Sequence, residues 1–188
     1  MLLILLGRSA TGKTTVADLL IKENNFKNLV SYTTREARVG ERDGIDYNFV
    51  NISDFQFLKM DASFSVNDNW KYGVALSEDV KDKNFIFPVI SFYYAKELYD
   101  SAIKKNINVF FVTLNVEDNE RKRRLINRGE SEDSIEKRFD IESSEGKYPE
   151  DILKNLNGLF INADNKSPDK IVSEIINGVQ NGIKSNMG

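Results

Sequence analysis

The chain has 188 residues, 40% hydrophobic and 29% charged, enough for one well-cored globular domain carrying small insertions. Its 26 Lys and Arg against 29 Asp and Glu leave a formal charge of −3, which argues against the broad cationic face of nucleic-acid binding and leaves room for local basic sites only. Cysteine and histidine are both absent, so disulfides, Cys/His zinc sites, thiol nucleophiles and imidazole bases are excluded too. What remains is chemistry by positioning and charge neutralisation, and phosphoryl transfer is of that kind.

The apolar opening, Met1 to Leu6, stops at Gly7 with no basic region before it and no small-residue cleavage site after it. No other stretch approaches the roughly 20 apolar residues of a membrane span. A cytoplasmic protein with no membrane partner is expected. Leu2–Leu6 reads as a strand buried on both faces, Gly7–Gly12 as a loop, and Thr14–Asn24 as an amphipathic helix carrying Val16, Leu19, Leu20 and Ile21. Further strands are predicted at Leu29–Tyr32, Phe85–Ile90, Val109–Leu114 and Gly158–Ile161. Helices are predicted near Tyr93–Lys105, Glu117–Asn127, Ser134–Ser143 and Pro168–Ile183. Strands alternating with helices imply a three-layer α/β/α fold on a parallel sheet. Residues 33–80 break this rhythm and read as an inserted subdomain, leaving 1–32 and 81–188 as the core. Lys184–Gly188 is expected to fray.

The strongest motif is Gly7-Arg8-Ser9-Ala10-Thr11-Gly12-Lys13-Thr14, a full G-x-x-x-x-G-K-[ST] between a buried-type strand and a helix. Glycines let the backbone curl so that its N–H groups face phosphates, and the helix adds its positive end. Gly7, Ser9, Ala10, Thr11, Gly12, Lys13, Thr14 and Thr15 form the candidate ATP site. Lys13 is the candidate catalytic lysine, reaching the β/γ-phosphates, and the Thr14 hydroxyl is the candidate Mg²⁺ ligand. An ordinary glycine turn would not need that strand–loop–helix setting.

The stretch Ser31-Tyr32-Thr33-Thr34-Arg35-Glu36-Ala37-Arg38 places two arginines three residues apart, and Glu41 and Tyr47 follow. Two guanidinium forks can grip a phosphate dianion. A polar hairpin whose charges only solvate it is the other reading of the same residues.

Together, the loop and the run Thr33-Thr34-Arg35-x-x-Arg38-x-Gly40-Glu41-x-x-Gly44-x-Asp46-Tyr47-x-Phe49-Val50 strongly resemble the guanylate kinase family. The resemblance extends over nearly the whole chain. Trp70-Lys71-Tyr72-Gly73 is similar to that family's Tyr-Tyr-Gly turn. Arg123–Gly129 and Ser134–Arg138 resemble its lid, placed here at 124–145, and Phe160-Ile161-Asn162 resembles its adenine-contacting strand. The resemblance implies that Ser31, Arg35, Arg38, Tyr47 and Tyr72 hold the acceptor nucleotide, with Glu41 orienting the arginines. It also implies that Arg124, Arg128 and Arg138 close over the transferring phosphoryl and that Asn162 meets adenine. The implied activity is phosphorylation of a nucleoside monophosphate, GMP or dGMP foremost, by ATP with Mg²⁺. The alternatives are a kinase of the same fold with another acceptor, nucleotide or phosphorylated sugar, and a non-catalytic binding module.

Departures from the family fall on base reading. Its guanine-reading Glu corresponds to Val66 or Asn67 here, its following hydroxyl to Val74, and its acidic strand residues to Val89 and Ser91. Base specificity and the carboxylate partner of Mg²⁺ are therefore open, with Asp68 one possible replacement. Oligomeric state is not legible.

Overall fold

The N-terminal apolar run becomes the middle strand of a parallel sheet. The computed structural model describes residues 1–38, 40–66, 69–89, 91–144 and 158–185. Along the chain the elements are β1 (Leu2–Gly7), α1 (Lys13–Glu23), β2 (Phe26–Asn28), β3 (Tyr32–Thr33), β4 (Asn48–Phe49), α2 (Ile52–Phe55), β5 (Ala62–Val66) and β6 (Trp70–Val74). They continue with β7 (Asn84–Val89), α3 (Phe92–Lys104), β8 (Val109–Asn115), α4 (Asp118–Asn127), α5 (Glu132–Ser144), β9 (Gly158–Asn162) and α6 (Pro168–Ser185).

The main sheet runs β2-β7-β1-β8-β9, every pairing parallel. All six residues of β1 are buried, as a strand covered on both faces requires. Side chains alternate between faces along a strand. Leu2, Ile4 and Leu6 accordingly join the core beneath α3, with Ala95 and Leu98, while Leu3 and Leu5 join Val16 and Leu20 of α1 and Ile175 of α6. These are the three layers that the alternating pattern implies.

One expected strand is displaced. Leu29–Tyr32 is not a strand; the chain pairs earlier, at β2, and Leu29 N donates to Ile86 O before the backbone leaves the main sheet. By Tyr32 it has entered a second sheet of order β4-β3-β6-β5, in which β6 is antiparallel to both β3 and β5. Phe26 and Leu29 are both buried against the main sheet, on its opposite faces, and the chain crosses after Leu29.

The second sheet is tied to α3 through Asp61. Its carboxylate accepts from Ser101 Oγ at 2.6 Å and Leu76 N at 2.6 Å, and pairs with Lys105 Nζ at 2.7 Å. Burial opposes the charge, but these donors outweigh it and hold the carboxyl below the usual aspartate range. Among the described residues no helix is long and apolar enough to cross a membrane.

Candidate active site

The glycine loop turns between β1 and α1 with two left-handed residues, Ala10 (φ 61°) and Gly12 (φ 97°). At Gly7 a Cβ would stand 2.6 Å from Thr11 Oγ1 and 3.0 Å from Leu114 O, so only glycine lets the loop fold this closely over the sheet. Thr11 Oγ1 donates to Arg8 O at 2.9 Å, closing the turn. Among the described residues the peptide N–H groups of Gly12, Lys13 and Thr14 donate to no internal acceptor. They are the orphan donors of a helix start, pointing where an anion can be held. Thr14 and Thr15 are exposed at this end.

Lys13 curls back on its own loop. Its ammonium donates to Gly7 O at 2.6 Å and Arg8 O at 2.8 Å. Burial is the main force on it and pushes its pKa down to about 7. The Glu142 carboxylate resists that fall, while the charges of Arg121, Arg128 and Arg138 deepen it. A lysine so crowded by cations is a good partner for polyanionic phosphates, which would restore its charge.

The cations come from α4 and α5. Arg124 donates from Nη1 to Ala10 O at 3.1 Å and from Nε to Glu120 at 2.8 Å. Arg138 donates from Nη1 to Ser9 Oγ at 3.4 Å and from Nη2 to Glu130 at 2.9 Å, leaving its Nε buried without a partner. Arg128 caps α4, and its exposed guanidinium makes no hydrogen bond among the described residues. Two of the three lid candidates thus rest on the loop, and the third is available to a ligand.

Arg35 lies on the second sheet's side, buried to 6% exposure. It meets Glu41 in a two-pronged ion pair, Nη1–Oε2 and Nη2–Oε1 both at 2.9 Å, and gives further bonds to Glu36 O at 2.6 Å and Tyr72 Oη at 3.2 Å. Four of its five N–H donors are therefore engaged. The Arg35 bonds dominate the Glu41 carboxyl and hold it below the usual range, with a backbone N–H bond from Arg38 at 2.7 Å adding to the effect. The exposed Arg38 guanidinium makes no hydrogen bond among the described residues. Tyr47 stands 6.0 Å edge-on from Tyr72 with the Arg35 guanidinium 5.4 Å over its ring, and Tyr72 lies on β6. Ser31 is half-buried, its carbonyl accepting from Asn48 N. Arg35, Glu41, Tyr47 and Tyr72 are thus gathered in one cluster, which Arg38 joins through its backbone.

Asn162 ends β9, opposite Asn115, with Oδ1 accepting from Asp164 N at 2.8 Å. Gly7 pairs with Leu114, so Asn162 reaches the loop's end of the sheet about 10 Å to the side, two strand spacings away. Val74 and Val89 are buried in the core and present no polar group, while Ser91 precedes α3, half-buried. Asn67 and Asp68 lie outside the described residues, as does the end of the lid span.

Sequence reasoning missed three buried polar residues. Arg121 and Glu142, discussed below, meet behind the loop. Tyr94 packs its ring 4.7 Å from Phe64, itself stacked on Tyr72, and its buried hydroxyl has no partner among the described residues. Burial pushes that phenol well above the usual tyrosine value. In the sequence, Arg121 hides within the Arg121–Arg124 run of cations, and Tyr94 within an aromatic stretch.

A glycine loop heading the central strand of a parallel sheet, with open backbone donors and arginines converging on it, defines a P-loop phosphotransferase. The guanylate kinase family model matches residues 1–64, which hold the loop and the paired arginines. A guanylate kinase of Clostridioides difficile (strain 630) is 31% identical over 97% of this chain and 90% of its own length. Another, of Zymomonas mobilis subsp. mobilis, is 34% identical over 77% of this chain and 70% of its own length. The crystal structure of guanylate kinase from Anaplasma phagocytophilum shares the fold, with a TM-score of 0.63 over 96% of this chain and 84% of that one at 21% identity. The chain belongs to the guanylate kinase family.

Proposed function

We infer that this chain transfers the γ-phosphoryl group of ATP to GMP or dGMP. One observation carries the reading: a likeness to guanylate kinases along 97% of the chain that includes an intact donor loop with unpaired backbone N–H groups. In this reading the ATP phosphates rest on the N–H groups of Gly12, Lys13 and Thr14. Lys13 swings from its loop carbonyls to the β/γ-oxygens. Arg124, Arg128 and Arg138 neutralise the equatorial oxygens of the transferring group. Asn162 serves the adenine.

The second sheet is read as the acceptor subdomain, spanning 33–80, and residues 124–145 as the lid. Arg38 supplies the open fork for the acceptor phosphate, and Arg35 gives its one remaining N–H. Glu41, Tyr72, Tyr47 and Ser31 fix the surroundings of that grip. An acceptor phosphate is already ionised at neutral pH, so its oxygen attacks without a general base. That suits a chain with no histidine or cysteine.

Among the described residues no cluster of acidic side chains could hold a metal by itself. The exposed Thr14 hydroxyl would nevertheless be the residue here to hold Mg²⁺ carried in by the nucleotide. When bound, Mg²⁺ supplies charge neutralisation on the β/γ-oxygens. ADP release with ATP·Mg²⁺ and each common nucleoside monophosphate tests the reading: GMP or dGMP should be the best acceptor, and no release with either would refute it.

A further inference from the structure

The loop is held from behind by a buried ion pair that the proposed chemistry does not use. Arg121 is 1% exposed and Glu142 4% exposed. Arg121 donates from Nε to Ser9 O at 2.9 Å, from Nη1 to Asp118 at 2.7 Å and from Nη2 to Glu142. Its guanidinium lies 4.3 Å over the Phe139 ring. Glu142 Oε1 accepts from Ser9 N at 2.8 Å. Both peptide groups of Ser9 are thus bonded to one side-chain pair, and the bonds form a closed circuit from Ser9 N–H through Glu142 and Arg121 back to Ser9 C=O. Ala10, Leu125, Ile135 and Phe139 form the apolar part of the surroundings, and the charges of Lys13 and Arg138 lie nearby.

We propose that Arg121 and Glu142 are positioning residues for the donor loop: a fixed clamp that sets the pitch of Ser9 and so aims the N–H fan that follows it. The inference rests on the donor-site reading of that loop. A buried ion pair is costly, and apolar residues of equal volume often give equal or greater stability, so stability alone does not explain this one. The bonds fall on the third residue of the phosphate loop. Glu142 engages Ser9 N–H and leaves the N–H groups of Gly12, Lys13 and Thr14 unpaired, so it braces the cradle without filling it. Arg121 has three of its five donors engaged on fixed partners of the protein itself. Among the described residues it is the most engaged of the four, since Arg124 and Arg138 each use two donors and Arg128 none, and it alone of them is buried. One element pair, α4 and α5, carries both the brace and the cations that would meet phosphate.

The test uses the full chain and reads thermal stability, KM for ATP and KM for GMP together. Arg121→Met/Glu142→Leu replaces the pair with apolar volume. It should melt near the wild-type temperature while kcat/KM for ATP falls about tenfold or more, with KM for GMP within about twofold, because one or two hydrogen bonds on the loop are lost. Arg121→Lys keeps the charge opposite Glu142 but cannot reach Ser9 O, Asp118 and Glu142 at once. It should fold normally and show a smaller loss in the same direction. Wild-type kcat/KM for ATP in either folded variant, or an equal loss for ATP and GMP, overturns the clamp. If neither variant folds, the pair is structural and the proposal falls. A wild-type chain that releases no ADP with GMP would instead refute the functional reading, a result the variants do not enter.

Discussion

On the proposed function the donor loop and the acceptor cluster each meet a phosphate, yet they prepare for it with different material. The loop offers backbone N–H groups fixed by β1 behind it and α1 ahead of it, and its lysine, Lys13, is folded onto loop carbonyls. The acceptor side offers side chains on a small sheet, and its central cation, Arg35, is largely consumed by Glu41, Tyr72 and Glu36. Backbone cradles bind by shape and tolerate variation in the side chains around them. A side-chain grip depends on each residue's partner.

The sharpest break between the two sites should come from Lys13→Ala. It should lower kcat about a thousandfold in a protein that melts normally and still binds GMP, because the transferring oxygens lose a placed charge. Near-normal turnover in a folded variant would move the donor site elsewhere.

Next in size are the two acceptor arginines, which should separate from each other. Arg38→Ala removes a charge-assisted bond worth roughly 1.5–3 kcal/mol, so KM for GMP should rise about tenfold to a hundredfold with no change in melting temperature. Arg35→Ala should raise KM for GMP as well and also destabilise the fold by about 2 kcal/mol. That is less than the roughly 3–5 kcal/mol of a fully buried broken pair, since Glu41 stays within reach of water. Paired melting curves and acceptor titrations check both. Equal melting for the two variants would show that the Arg35–Glu41 pair contributes nothing to the fold.

These regions also differ in how far the sequence discloses them. The donor loop is legible because its glycines, lysine and threonine lie within eight consecutive residues and are dictated by local backbone geometry. Arg35 and Arg38 are legible as residues, but not the division of labour between them, because Glu41 and Tyr72 reach Arg35 through turns that spacing does not describe. Arg121 and Glu142 stand 21 residues apart on separate helices, and no local pattern marks two charges that will be buried together. The strand expected at Leu29–Tyr32 fails for a related reason. Phe26 and Leu29 are both held by the main sheet, and only after them does the backbone cross to the next.

A smaller effect is expected with pH, and it again divides the sites. Lys13 has a folded pKa of about 7, below the ordinary lysine value, mainly through burial. As pH rises through 7 the free enzyme loses its ammonium, so kcat/KM for ATP should fall by up to about tenfold per unit. Saturating ATP restores the proton, so kcat should hold to higher pH. Stability should move the other way. Between pH 7 and the ordinary lysine value the unfolded chain still binds a proton that the folded chain has released, so folding becomes more favourable as pH rises. Lys13→Ala should abolish both trends, and their persistence in that variant would assign them to other groups.

The smallest effect concerns which base the acceptor side prefers. Guanine selection draws on buried polar groups that a wrong base would leave unpaired, and that penalty is what produces large discrimination ratios. Val74 and Val89 are enclosed in apolar core and offer no such group. Ser91 offers a half-buried hydroxyl, and a neutral partner gives a weaker bond than a charged one. The phosphate grip around Arg35 and Arg38 is indifferent to the base above it. GMP and dGMP should therefore lead, but by less than about a thousandfold in kcat/KM over AMP, UMP, CMP and TMP measured side by side. Tyr94→Phe refines the outcome, since it removes a buried hydroxyl near Phe64 and Tyr72 that has no partner among the described residues. A raised melting temperature with unchanged base ratios would make that hydroxyl a mere burial cost. A larger GMP preference than a thousandfold in the unaltered chain would mean that a polar group outside Val74, Val89 and Ser91 reads the base.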